Sequence, residues 1–238
     1  MKLVKASLFI AFWAFNLVTF SFFSQASAEE LDIIIDDWPP YIDRSHPNQG
    51  FISEIVTNSF EKMGIKTNLI YKPWKRVELD VDNRGAVSFG WVRNNDREFK
   101  WLFSDKITVS SSVFLTRRDS NILWKTLDDL KSYQIGITRG YSHGNAFDDL
   151  KSQLMIQEAA TDEHNIGKLL KRRIDLFAVD PSVGAILLKT RFSREERNKL
   201  EFIMEPVITS HGIYVVCAKS NNKCSYYLDK FNAGMALL

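Results

Sequence analysis

Three residues in this chain have types and positions suited to gripping a small charged molecule. Arg97 follows an apolar, glycine-bearing run, Ala86 to Val92, and lies six residues before Phe103-Ser104-Asp105. A guanidinium at a strand end presents five donors in a planar fork, which suits a carboxylate held bidentately. The alternative is a solvated loop charge. Ser142 closes Gly140-Tyr141-Ser142, where a strand is expected to turn into a helix, so that free N–H groups would face an anion. A plain N-cap is the alternative there, and both roles can coexist. Asp180 ends a buried apolar run, where an unpaired carboxylate is costly. A ligand cation would supply its partner, and the alternative is capping of the helix that begins at Pro181.

The elements that must position these residues follow from the hydrophobic patterning. Leu31 to Ile35 is a β-branched apolar run and reads as a strand, stopped by Trp38-Pro39-Pro40-Tyr41. A helical pattern runs from Phe51 to a stop at Gly64. A strand over 67–71, a short helix over 74–82 and a strand over 86–92 follow, leading into a loop that carries Arg97. Strand, helix, strand, helix, strand implies a parallel sheet covered by helices. Residues 112–117 read as a strand leaving this unit. A second alternation follows: a helical turn at 127–130, strand 134–138, helix 145–154, helix 162–172, strand 174–179 and helix 181–189. A late strand, 211–218, and a helix from Tyr226 complete the chain. Two α/β units joined by strands rather than a flexible linker suggest a cleft that closes about a hinge.

The first 28 residues set the expected compartment. Lys2 and Lys5 precede an apolar stretch from Ala6 to Phe23, and Ala26-Ser27-Ala28 gives a small-x-small cleavage pattern. This is the form of a secretory signal peptide cut after Ala28. Two of the chain's 31 Lys and Arg side chains lie in that leader, so its removal leaves 29 bases against 29 acids. No basic field then points to nucleic acid or an anionic membrane. The remaining 210 residues suffice for one large domain or two lobes. In an exported protein the only two cysteines, Cys217 and Cys224, are expected to form a disulfide around a short surface loop. Such a bond would add about 2–3 kcal/mol. The four histidines are scattered, without metal-ligand spacing.

Taken in order, these markers resemble the extracellular solute-binding proteins of family 3, the polar amino acid receptors of ABC importers. They are the early strand with Trp38-Pro39-Pro40-Tyr41, Gly50-Phe51 opening a helix, Pro73-Trp74-Lys75-Arg76, the arginine segment with Phe103-Ser104, the Ile-Gly strand ending in Gly140-Tyr141-Ser142, and Asp175 to Asp180. The resemblance implies an α/β, two-lobed periplasmic binding protein fold of type II, each lobe a mostly parallel sheet flanked by helices and hinged by crossing strands. Residues 29–117 and 208–238 would form the first, discontinuous lobe, and residues 118–207 the second.

By the same resemblance Arg97 would take a ligand α-carboxylate, with Gly140, Tyr141 and Ser142 completing the grip and Asp180 taking the ammonium. Tyr41 and Trp74 follow strand ends and would form an aromatic floor or wall, or else pack in the core. Trp91 is bulky beside the expected cleft and would narrow it. Asn94 stands where the family has threonine, and it retains a donor for a carboxylate. The chain stops within an expected helix, where the family's amino acid receptors run further. The implied protein is a periplasmic monomer that needs no cofactor or metal, catalyses nothing, and hands an amino-acid-like carboxylate to an ABC permease in the inner membrane. Two alternatives stay open: a dehydratase of a cyclic carboxylic acid on the same fold, with His143 as the candidate acid or base, and a sensory protein that presents its ligand to a receptor.

Overall fold

The computed structural model describes residues 29–238. The expected signal peptide lies outside the described residues. Among the described residues no helix is long and apolar enough to cross a membrane.

The chain begins with β1 (Glu29–Ile35), α1 (Phe51–Lys62), β2 (Ile65–Tyr71), α2 (Trp74–Arg84) and β3 (Ser88–Val92). β1 and β2 pair in parallel, and Ile33 bridges in parallel to Val87 at the entry to β3. A parallel pair needs a crossover, and α1 and α2 supply it. Ile33, Ile35, Val56, Phe60, Val77, Val81 and Phe89 form the buried core of this first lobe. Next come α3 (Asn95–Lys100), β4 (Trp101–Phe103) and β5 (Thr108–Arg117).

The second lobe holds β6 (Gln134–Thr138), α4 (Asn145–Leu150), β7 (Met155–Ala159), α5 (Asp162–Leu170), β8 (Leu176–Val179), α6 (Pro181–Arg191), α7 (Arg194–Asn198) and β9 (Leu200–Ile203). β6 pairs in parallel with both β7 and β8. Both faces of this sheet are covered, so successive residues of its strands serve different cores. Phe114, Leu176 and Ala178 pack on one side with Leu130, Ile135 and Phe147. Leu115, Phe177 and Val179 pack on the other with Ile166, Leu169 and Leu188. The chain returns through β10 (Thr209–Ala218) to α8 (Cys224–Met235).

The β1–β2 pair is parallel alone, whereas the larger sheet also carries antiparallel pairings: β10 against β3, β4 and β5, and β5 against β8 and β9. β5 and β10 are the crossing strands. β5 pairs with β10 through Ser112 and with β8 from Val113 onward. The change of partner therefore falls inside the stretch expected to belong wholly to the first lobe, because one unbroken strand serves both sheets.

Three local differences from the sequence reading have simple causes. The helix expected over 145–154 ends at Leu150, and a 3₁₀ turn, Lys151–Gln153, leads into β7. β7 is an edge strand whose first residue is exposed, so it lacks the apolar run of a buried strand. Arg97 lies in a six-residue helix rather than a loop, too short to show a helical period.

Cys217 and Cys224 are joined by a disulfide that ties the end of β10 to the start of α8. α8 packs on α1, with Phe231 against Phe60 at 5.8 Å between ring centroids. Gly234 meets the Ser59 carbonyl so closely that a Cβ there would collide with backbone. Gly234→Ala should therefore destabilise the protein by about 1–3 kcal/mol, read as a lower midpoint in urea denaturation.

Candidate functional site

A partly open pocket lies where the two lobes meet the crossing strands. Among the sequence-expected residues, Trp74, Trp91, Arg97, Gly140, Tyr141, Ser142 and Asp180 line it. Tyr41 and Asn94 do not. Tyr41 stands behind Asp180, and Asn94 lines a groove on the outer side of Arg97.

Arg97 is positioned by its helix cap. Asn94 is the N-cap of α3, and its Oδ1 accepts the Arg97 backbone N–H at 2.9 Å. The Asn94 side-chain amide donates across the cleft to Ser142 Oγ at 3.1 Å. Asn94 thus caps α3 and bridges the lobes at once. The Arg97 guanidinium is buried. Nη1 donates to the Val92 carbonyl at 3.0 Å and Nη2 to the Gly140 carbonyl at 2.8 Å. It lies 4.7 Å from the centre of the Trp91 ring, within cation–π range. Burial lowers its pKa from the ordinary arginine value, opposed chiefly by the Glu78 charge.

Trp91 reaches this position through a β-bulge. The register of β3 against β10 shifts between Tyr214 and Val215, and Gly90 is the extra residue, with φ near +90°. A side chain at Gly90 would press on the Trp74 ring. Trp74 and Trp91 meet edge to face, 5.0 Å between centroids.

Asp180 is the N-cap of α6, with Pro181 at the first helical position. Its Oδ1 accepts the backbone N–H groups of Ser182 and Val183 at 2.8 and 3.2 Å. Oδ2 accepts the hydroxyls of Tyr41 at 2.9 Å and Ser110 at 2.6 Å. Burial, then the Asp180 charge, push the Tyr41 phenol up to about 12, so it stays a neutral donor. Ser142 donates to Asp148.

Several lining residues were not read from the sequence: Trp38, Ser110, Ser112 and His211. Ser110 and Ser112 are two apart on β5 and so share a face, a period-two signal that was available. His143 also lines the cavity. Its Nδ1 pairs with Ser112 Oγ at 3.0 Å. Burial, then the Lys151 charge, hold its pKa down to about 3, far from the range of a general base at neutral pH.

The comparisons with known proteins agree with this architecture. No protein-family model matches the sequence. Over 73 residues the chain is 32% identical to the L-cystine-binding protein TcyA of Bacillus subtilis (strain 168), covering 30% of this chain and 27% of that protein. The match thus spans about a quarter of the curated relative's length. The substrate-binding protein of an amino acid ABC transporter superposes with a TM-score of 0.68 at 19% identity, covering 87% of this chain and 92% of the other.

The chain has the type II periplasmic binding protein fold.

The arginine-binding protein of T. maritima, in its holo form, superposes at TM-score 0.69 and 16% identity, over 87% of this chain and 89% of that one. A histidine kinase sensor domain with similarity to periplasmic binding proteins gives 0.70 and 17%, over 88% and 90%.

Tyr141, which separates the cavity from a second cleft, donates to the buried Asp162 at 3.5 Å, and Thr138 donates to the same carboxylate. Burial raises the Asp162 pKa from 3.8 to about 6. The folded state therefore holds this proton more tightly than the unfolded chain. Its stabilising contribution, about 3 kcal/mol, is full below about pH 4 and is lost as pH rises through about 6. Asp162→Asn should flatten that fall, seen when urea midpoints of variant and parent are compared from pH 4 to 7.

Proposed function

We propose that the protein captures a small polar solute, an α-amino acid or close analogue, between its lobes in the periplasm and delivers it to an ABC importer in the inner membrane. The observation that carries this reading is the pair of opposite charges, Arg97 and Asp180, that line one interlobe pocket. A zwitterion complements both. The Arg97 fork donates to two neutral carbonyls, with the Glu78 carboxylate farther off at 3.9 Å, and a ligand carboxylate would be a stronger, charge-assisted acceptor for the same donors. On Asp180, a ligand ammonium would displace a neutral hydroxyl donor, Ser110 or Tyr41, in favour of a charged one. Gly140, Tyr141 and Ser142 would follow the carboxylate from the second lobe, and Trp74 and Trp91 would wall the side chain.

This role is binding rather than catalysis. The similarity to TcyA and to the amino acid receptors supports it. The hinge would lie in the paired segments of β5 and β10, with the first lobe moving against a second lobe that includes residues 113–117 of β5. Export would follow cleavage after Ala28.

Calorimetric titration of the purified protein against the common α-amino acids should show at least one binder. Arg97→Ala should weaken that binder roughly 100-fold, as expected for losing two charge-assisted hydrogen bonds. Asp180→Asn should weaken it by at least about tenfold while preserving the helix cap. Unchanged affinity in a folded Arg97→Ala protein, checked by circular dichroism, would refute the anchor.

A further inference from the structure

Three buried polar atoms on residues that line the interlobe cavity have no hydrogen-bond partner: Trp74 Nε1, His143 Nε2 and His211 Nδ1. A buried polar group without a partner is costly, and three around one cavity point to a ligand that satisfies them. Their chemistry is specific. The indole N–H can only donate, whereas a neutral imidazole nitrogen donates or accepts according to its tautomer. The other ring nitrogen of His143 is already held by Ser112.

The only residues lining the cavity that carry a full charge are Arg97 and Asp180. On the function proposed above, both are taken by the carboxylate and ammonium of the ligand. The rest of its wall is neutral: Trp38, Trp91, Tyr141 and Ser110, with the three unpartnered groups among them. Burial is the main reason the imidazoles stay uncharged, with pKa values lowered to about 3 for His143 and about 4 for His211.

We propose that Trp74, His143 and His211 form the side-chain subsite and select an uncharged group that both accepts and donates hydrogen bonds, a carboxamide. Its oxygen accepts from the Trp74 indole N–H, and its NH₂ donates to the imidazole nitrogens. A cationic side chain brings only donors to the indole donor and finds no further carboxylate. A carboxylate side chain finds acceptable donors but no second cation, so its charge is buried unpaired. An aliphatic side chain leaves all three atoms without partners.

The inference rests on the amino acid reading of the cleft, and one experiment separates the two. The full protein is titrated calorimetrically with glutamine, asparagine, arginine, lysine, glutamate and methionine. Glutamine or asparagine should bind at least tenfold tighter than the charged and aliphatic amino acids. Trp74→Phe, which keeps a ring and removes the N–H, should weaken the carboxamide ligand roughly tenfold and weaken methionine less. His211→Phe should act in the same direction. Arginine, lysine, glutamate or methionine binding as tightly as glutamine would overturn the subsite and leave the amino acid reading standing. Binding by none of the six would overturn the subsite, and the amino acid reading would fall with it only if none of the remaining common α-amino acids bound either. Equal losses for glutamine and methionine in the folded Trp74→Phe protein would show that the indole serves packing alone, and would overturn the assignment of its N–H.

Discussion

The structure turns on one desolvated charge. The Arg97 guanidinium is shut between two lobes, where an ion stripped of water is tolerated only if its donors and its π-face are occupied. Val92 holds it from its own lobe, Gly140 holds it from the other, and Trp91 lies beneath it. Each contact has a structural cause. The Asn94 cap fixes the first turn of α3, and the bulge at Gly90 turns Trp91 under the guanidinium. The bond to Gly140 exists only while the lobes are together. Closure and the satisfaction of this charge are therefore one event, and on the proposed function a ligand carboxylate would compete with a contact that the protein makes to itself. Such competition lowers apparent affinity, and it makes selectivity depend on what the rest of the cavity adds.

Asp180 is the counterpart, and its arrangement differs. Both oxygens are occupied, one by the first turn of α6 and the other by two hydroxyls. The helix cap is local and permanent. The hydroxyls come from Tyr41 and Ser110, which lie outside the second lobe's α/β alternation, so this carboxylate also joins the lobes. Capping and the proposed ligand contact, which compete as explanations when Asp180 is read in sequence, would use different oxygens and so do not exclude each other.

Much of this was legible in the sequence because it is local. Strand β1 shows as a β-branched apolar run and β8 as a short apolar one, Pro181 marks the start of a helix, and the cysteine pair is close in sequence. The long α/β alternation with no linker gave the two lobes. What escaped was set by tertiary contact. The α3 helix is one and a half turns long and is defined by the Asn94 cap rather than by a period. Tyr41 was placed on the ligand wall because it follows a strand end, but stacking on Trp38 at 4.3 Å and the bond to Asp180 hold it one layer back. His211 gave no signal, since a histidine at the start of a strand is unremarkable until a second strand and a second lobe close over it.

The hinge and the cavity share residues, and this gives the fold a direct route from ligand contact to lobe position. Between Thr108 and Ser112 on β5 and between Thr209 and Ile213 on β10, the two strands pair with each other; beyond those limits each is anchored in a separate sheet. Bending that alters the interlobe angle with least loss of packing belongs in this two-stranded segment. Ser110, Ser112 and His211 all lie in it and all line the cavity. Ser110 reaches Asp180, and Ser112 reaches His143, so the hinge is bonded to both charged and neutral parts of the second lobe's wall. A ligand that exchanges partners with either serine acts on the segment whose curvature sets closure. Each lobe has its own core, and the first lobe's cluster reaches the second through Val183 of α6.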